Sequence, residues 1–152
     1  MRDAADVLAR LGAATRATVE VRAGQGAGGT GAGTATVTVD GDTVVIAEAG
    51  TWATAASGPM RWRAVSRWQA EGEALAVEHV RQGEPARAVL DRQADGTWRA
   101  RAPYLCGQDR YEAALDAGPE AVAMTWTISG PCKAARIVTR YTSEAENPGR
   151  RA

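Results

Sequence analysis

The sequence predicts an all-β fold: an antiparallel up-and-down barrel of about ten strands with a short N-terminal helix. Three observations carry this. Apolar and polar side chains alternate with a period of two in run after run. Asp-Gly, Glu-Gly and Gly-Pro pairs separate the runs at intervals of about ten to twelve residues, which is hairpin punctuation. Only the first residues show helical spacing, and so many strands suit closure better than a flat open sheet.

Asp3 to Leu11 is the helix. Asp3 can cap it, Ala4 and Ala5 favour it, Val7, Leu8 and Leu11 share a side, and Gly12 ends it. Ala17, Val19 and Val21 then alternate with Thr18, Glu20 and Arg22, a half-buried strand. The glycine-rich stretch Gly24 to Gly33 invites a phosphate-loop reading, which fails. No Lys follows it as a Walker loop requires, and the next segment, Thr34–Val39, is a strand rather than the helix a dinucleotide site needs. A mobile hairpin connection is expected there.

The remaining strands follow in order. Thr43–Ala49 comes after Asp40-Gly41, Met60–Gln69 after Gly58-Pro59, and Glu73–Arg81 after Glu71-Gly72. Glu84–Asp91 follows Gln82-Gly83, and Thr97–Leu105 follows Asp95-Gly96. Asp109–Ala117, Glu120–Ser129 and Lys133–Thr142 complete the series, with Gly118-Pro119 and Gly130-Pro131 between them. Residues 1–142 are expected to form a single barrel domain, and 143–152 a disordered tail.

Composition narrows the function classes. Of 152 residues, 18 are basic and 18 acidic, and this zero net charge disfavours a general nucleic-acid or membrane-surface binder. No apolar run is long enough to span a membrane, and Asp3 and Asp6 interrupt any secretory leader, so a cytoplasmic protein is expected. Phe is absent, so large buried surfaces must come from five Trp and three Tyr, helped by aliphatic residues and Met. Two cysteines, Cys106 and Cys132, and one histidine, His79, cannot supply a four-ligand zinc site. The cysteines read as small buried thiols, with a bridge between them left open by the sequence. No cofactor and no metal are expected.

Alternation sorts the strand faces. Met60, Trp62, Ala64 and Trp68 oppose Arg61, Arg63, Val65 and Arg67; Trp98, Ala100, Ala102 and Tyr104 oppose Arg99 and Arg101. Val122, Met124, Trp126 and Ile128 make a third apolar face, and His79 shares one with Leu75 and Val77. The tryptophan faces are expected inward, because several buried arginines would cost too much desolvation. Glu48 alternates with Val44 and Ile46, which makes it a minor acid/base candidate.

The motifs Cys106-Gly-Gln-Asp109-Arg-Tyr111 and Trp126-Thr-Ile-Ser-Gly130-Pro131-Cys-Lys133 are the most specific in the chain. With Glu48-Ala-Gly-Thr-Trp52, Met60-Arg-Trp-Arg and Thr139-Arg140-Tyr141, they resemble a bacterial domain-of-unknown-function family over about Leu11 to Tyr141. The resemblance implies a lipocalin-like (calycin) or fatty-acid-binding-like barrel with a pocket; it implies no activity. The family pattern has a His where this chain has Tyr104. It also has an Asp-Gly-Arg and a Phe-His where this chain has Gln82-Gly83-Glu84, so no role for those histidines carries over.

Two functions fit these residues. The first is binding of a small, largely apolar or aromatic molecule in the lumen, with Trp62, Trp68, Trp98, Tyr104, Trp126, Met124 and His79 as candidate wall residues. The alternative is a cofactor-free enzyme, a cyclase or isomerase acting on an apolar intermediate, with Asp109, Tyr111 and Lys133 as the catalytic candidates. Lys133 stands out as the one Lys beside 17 Arg. His79 reads more simply as a core histidine than as a haem ligand.

Overall fold

The computed structural model describes residues 3–24, 28–54, 58–81, 84–131 and 133–144. The helix α1 is Ala4–Gly12. Asp3 caps it by accepting from the Asp6 backbone N–H, while the Asp6 side chain accepts from the Asp3 N–H. Gly12 is its last turn rather than the residue beyond it, and Ala13 is the C-cap.

The strands are β1 (Arg16–Ala23), β2 (Gly29–Asp40), β3 (Thr43–Thr54), β4 (Met60–Glu71), β5 (Ala74–Arg81) and β6 (Glu84–Arg92). After them come β7 (Trp98–Ala100), β8 (Tyr104–Cys106), β9 (Asp109–Ala117), β10 (Val122–Gly130) and β11 (Lys133–Thr142). Neighbours in sequence pair antiparallel from β1 to β7, β9 joins β7 to β10, and β11 returns to β1. The result is a closed ten-strand antiparallel barrel, with β8 as a short extra strand on β9.

The tight turns are the ones the glycines mark. Gly41, Gly72, Gly96 and Gly107 all have positive φ, where a side chain would be strained. Gly107 belongs to a turn hidden inside the Cys106…Asp109 motif: Cys106 and Asp109 pair across the β8–β9 hairpin. Gly130 and Lys133 likewise pair across β10 and β11. The spacing in both motifs is therefore hairpin spacing, and both sit at the barrel end away from α1.

Two expected elements differ. The segment expected as one strand, Thr97–Leu105, is split at Arg101–Pro103, where Pro103 has no N–H to give a ladder. Its halves still share one edge of β9, since Trp98 faces Leu115 and Tyr104 faces Tyr111. The glycine run is not a hairpin connection throughout, because Gly29 to Gly33 already belong to β2; residues 25–27 lie outside the described residues.

The glycines are there for close approach. A Cβ on Gly31 would stand 2.6 Å from Trp52 Cβ, and one on Gly50 would stand 2.5 Å from the Trp62 ring. At Gly33 the obstruction is backbone, the Ala49 carbonyl. Bare backbone on β2 and β3 thus makes room for two indoles. Gly33→Ala should lower unfolding free energy by about 1–3 kcal/mol in a urea titration, because backbone must move to admit the methyl.

Alternation holds round the barrel. Trp68, Trp98 and Trp126 are buried and Trp62 half-buried, while Arg61, Arg63, Arg67, Arg99 and Arg101 are exposed. The tryptophan faces point inward. The helix covers one end of the lumen with Ala4, Val7 and Leu11, and Arg10 Nη1 donates to the Gly118 carbonyl in the β9–β10 turn at 2.5 Å. Cys106 is an exposed free thiol, not a buried one; it sits next to a turn at the uncovered end, where no core reaches it. Cys132, the Gln82-Gly83 turn and the tail from residue 145 lie outside the described residues.

Candidate functional site

The lumen has two halves. Beneath α1 it is solid: Trp68, Trp98, Leu75, Leu90, Leu115 and Met124 are all buried there. At mid-height lies a polar layer of Glu48, Ser66 and Thr139, each at most 5% exposed. Ser66 Oγ accepts from Trp68 Nε1 at 2.8 Å. Glu48 Oε2 accepts from the Tyr141 hydroxyl at 2.6 Å and its Oε1 from Trp62 Nε1 at 3.2 Å. Register explains why a carboxyl fits here, since the cross-strand neighbours of Glu48 are Ala35 and Ala64, whose small side chains leave room.

Above that layer, at the end opposite the helix, a cavity of about 330 Å³ opens. Such a volume is at the lower end of small-molecule sites. One wall is a run of edge-to-face rings. His79 and Trp126 have centroids 6.1 Å apart, Tyr111 and Trp126 6.4 Å, and Tyr104 and Tyr111 5.9 Å. Ile128, Ala135 and Ile137 make the apolar remainder, and Cys106 and Lys133 line the cavity towards its mouth.

Two features make this more than leftover space. Trp126 is 6% exposed, yet its indole N–H has no acceptor among the described residues. A buried donor left unmet costs about 1–3 kcal/mol, which a ligand acceptor would recover. The wall also has a seam. The β6–β7 ladder stops at Leu90–Ala100, so no pairing among the described residues joins Ala86 of β6 to Tyr104 of β8. Both line the cavity.

A larger groove of about 730 Å³ lies at the helix end, lined by Asp3, Glu71, Glu73, Asp91, Arg92 and Arg101 among others. Trp98 lines it too and also buries an indole N–H without an acceptor among the described residues. Its rim is charged and largely self-paired. Arg101 donates to both Asp91 oxygens, at 3.0 and 2.8 Å, and these bonds hold the Asp91 carboxyl below its ordinary range. The lumenal cavity is the better candidate, being more apolar and enclosed by the barrel wall.

The structure brings His79, Tyr104, Tyr111, Trp126 and Lys133 together around this cavity. It places Trp68, Trp98 and Met124 in the packed half, and Trp62 over Gly50 with its N–H on Glu48. Asp109 is not on the cavity lining; its carboxylate leans against Gly130. Sequence reasoning did not single out Ala135 and Ile137. Their signal was available in the alternation of Lys133–Thr142, which continues the face set by Lys133.

A closed antiparallel barrel with one end plugged by a helix and a ring-lined cavity at the other belongs to the lipocalin-like class. The chain itself belongs to a family of unknown function, DUF6314, whose profile matches residues 13–143. A solved structure, the S-type phycobiliprotein lyase CPES from Guillardia theta, is similar with a TM-score of 0.64. The similarity covers 94% of this chain and 93% of that one at 11% sequence identity, so it concerns the fold. No curated protein matches the chain. Among the described residues, no helix is long and apolar enough to cross a membrane.

Proposed function

We propose that this barrel binds a small, largely apolar or aromatic molecule in the upper half of its lumen. The observation that carries the reading is the buried, acceptor-less N–H of Trp126 in a ring-walled cavity. Rings of His79, Trp126, Tyr111 and Tyr104 offer edges and faces to a planar guest, and Trp126 Nε1 offers one directional bond. The similar barrel is a phycobiliprotein lyase, so a tetrapyrrole-like compound belongs among the first ligands tested. The cavity volume favours smaller planar molecules beside it. The exposed free thiol of Cys106 is in keeping with a reducing, cytoplasmic setting.

A catalytic version keeps the same cavity. Tyr111 and Lys133 both line it, so a cyclase or isomerase would use one of them to move a proton, with no cofactor. Asp109 stands further from that role. Incubating the protein with a metabolite extract and following both mass and retention time separates the two. A compound recovered unchanged at about one per chain supports a binder; turnover in excess of protein supports an enzyme.

Once a ligand is in hand, Trp126→Phe keeps a ring and removes the donor. Its dissociation constant should rise about tenfold by calorimetry, the equivalent of one hydrogen bond to a buried donor. An unchanged constant would remove Trp126 Nε1 as the anchor.

A further inference from the structure

The charge placed at the mouth of the cavity bears on the ligand's own charge. Tyr104, Tyr111 and Trp126 make no hydrogen bond from their side-chain polar atoms to any described residue, so each has a donor to give. Among the described residues no carboxylate lines the cavity, and the ammonium of Lys133 does.

Lys133 lines the cavity, whereas the arginines that form ion pairs do so away from it. Arg22, Arg87, Arg101, Arg110 and Arg140 are paired with Glu20, Glu71, Asp91, Glu112 and again Glu20, all through partly or well exposed side chains. Lys133 forms no ion pair among the described residues, although Asp109 leans on Gly130, its cross-strand partner. Register keeps it at the mouth. It pairs with Gly130 as the first residue of β11, two residues before Ala135 and four before Ile137 on the same face. A ring seated against Trp126 and Ile137 would therefore have its outward end near the ammonium.

We infer that the ligand is an acid: a planar aromatic or conjugated molecule whose carboxylate meets Lys133 while its ring lies against Trp126 and Tyr111. The inference rests on the binding function proposed above and adds the ligand's charge to it. A carboxylate supplies acceptor oxygens for the indole N–H and the phenol hydroxyls, and the ammonium supplies its counter-charge where the cavity meets water. A cationic ligand would meet the like charge of Lys133 there.

Calorimetric titration with 2-naphthoate and with its neutral amide, 2-naphthamide, tests this. The acid is expected to bind wild type about fivefold or more tightly than the amide, the scale of one partly exposed ion pair. Lys133→Met should bring the acid to the amide's affinity, while Lys133→Arg retains the preference. Lys133 is exposed, so these variants do not disturb the core. Equal binding of acid and amide to wild type would overturn the charge assignment and leave the cavity's binding role standing. A preference that survives Lys133→Met would overturn the assignment to Lys133. Failure of both probes to bind at millimolar concentration would overturn the charge assignment and the binding role together.

Discussion

Trp68→Ala is expected to lower the free energy of unfolding by about 3–5 kcal/mol, read from the midpoint of a urea titration with an unchanged slope. Two physical losses add at that site. Trp68 has no exposed surface, so truncation empties an indole-sized volume in the solid half of the lumen. Its cross-strand neighbours are Val44 and Val77, held in place by their own strands and unable to fill the gap. Its N–H also serves Ser66, which is itself fully buried, so the hydroxyl loses its donor at the same time. For a domain with a total stability of about 5–15 kcal/mol this is a large fraction. Trp62→Ala, at a half-buried position nearer the open end, should cost clearly less. Equal losses at the two positions would mean that the lumen is not divided into a packed and an open half.

That division marks the boundary of what the sequence made legible. Alternation tells which way a side chain points, and it placed Trp62, Trp68, Trp98 and Trp126 inside and the arginines of β4 outside. It says nothing about height along the lumen. Trp68 and Trp126 look alike in a period-two pattern, yet one lies under α1 and the other faces the cavity, because the helix plugs only one end. The site residues that did come together, His79, Tyr104, Tyr111, Trp126 and Lys133, share an end because four of them lie near a strand terminus there and the ring of Trp126, at the middle of β10, reaches them. Their common height follows from register, which no single strand encodes.

The glycine run failed for a related reason. Gly and Ala carry weak strand preference and outnumber the single Thr30, so Gly29 to Gly33 read as a connection. In the barrel that weakness is what the neighbouring strand needs, because the absent Cβ atoms admit Trp52 and Trp62. The tryptophans on β3 and β4 and the glycines on β2 and β3 are one feature, visible only when the strands are paired. The break at Arg101–Pro103 was missed because alternation carries straight through it, whereas Pro103 decides the matter by lacking an N–H.

Glu48→Ala is expected to cost about 3 kcal/mol or more, although Glu48 is not among the residues lining the lumenal cavity and alanine leaves no charge behind. The carboxyl is 3% exposed and joins β3 across the lumen to Tyr141 on β11 and along the wall to Trp62 on the neighbouring β4. Truncation removes the carboxyl acceptor of the buried Tyr141 hydroxyl and of the Trp62 indole that lies over Gly50. Each of these bonds to a buried carboxyl is worth about 1–3 kcal/mol, and the missing side chain leaves space between Ala35 and Ala64 besides. Glu48→Gln distinguishes shape from charge. Its carbonyl can still accept from Trp62, and its amide can donate to a Tyr141 hydroxyl rotated to accept, so the cost should fall to about 1 kcal/mol. If the glutamine variant is as damaged as the alanine one, the ionised carboxylate itself is what the barrel requires at mid-height. If both are harmless, the polar layer does not tie the two sides of the barrel together, and the packed half must hold its shape through Trp68 and its neighbours alone.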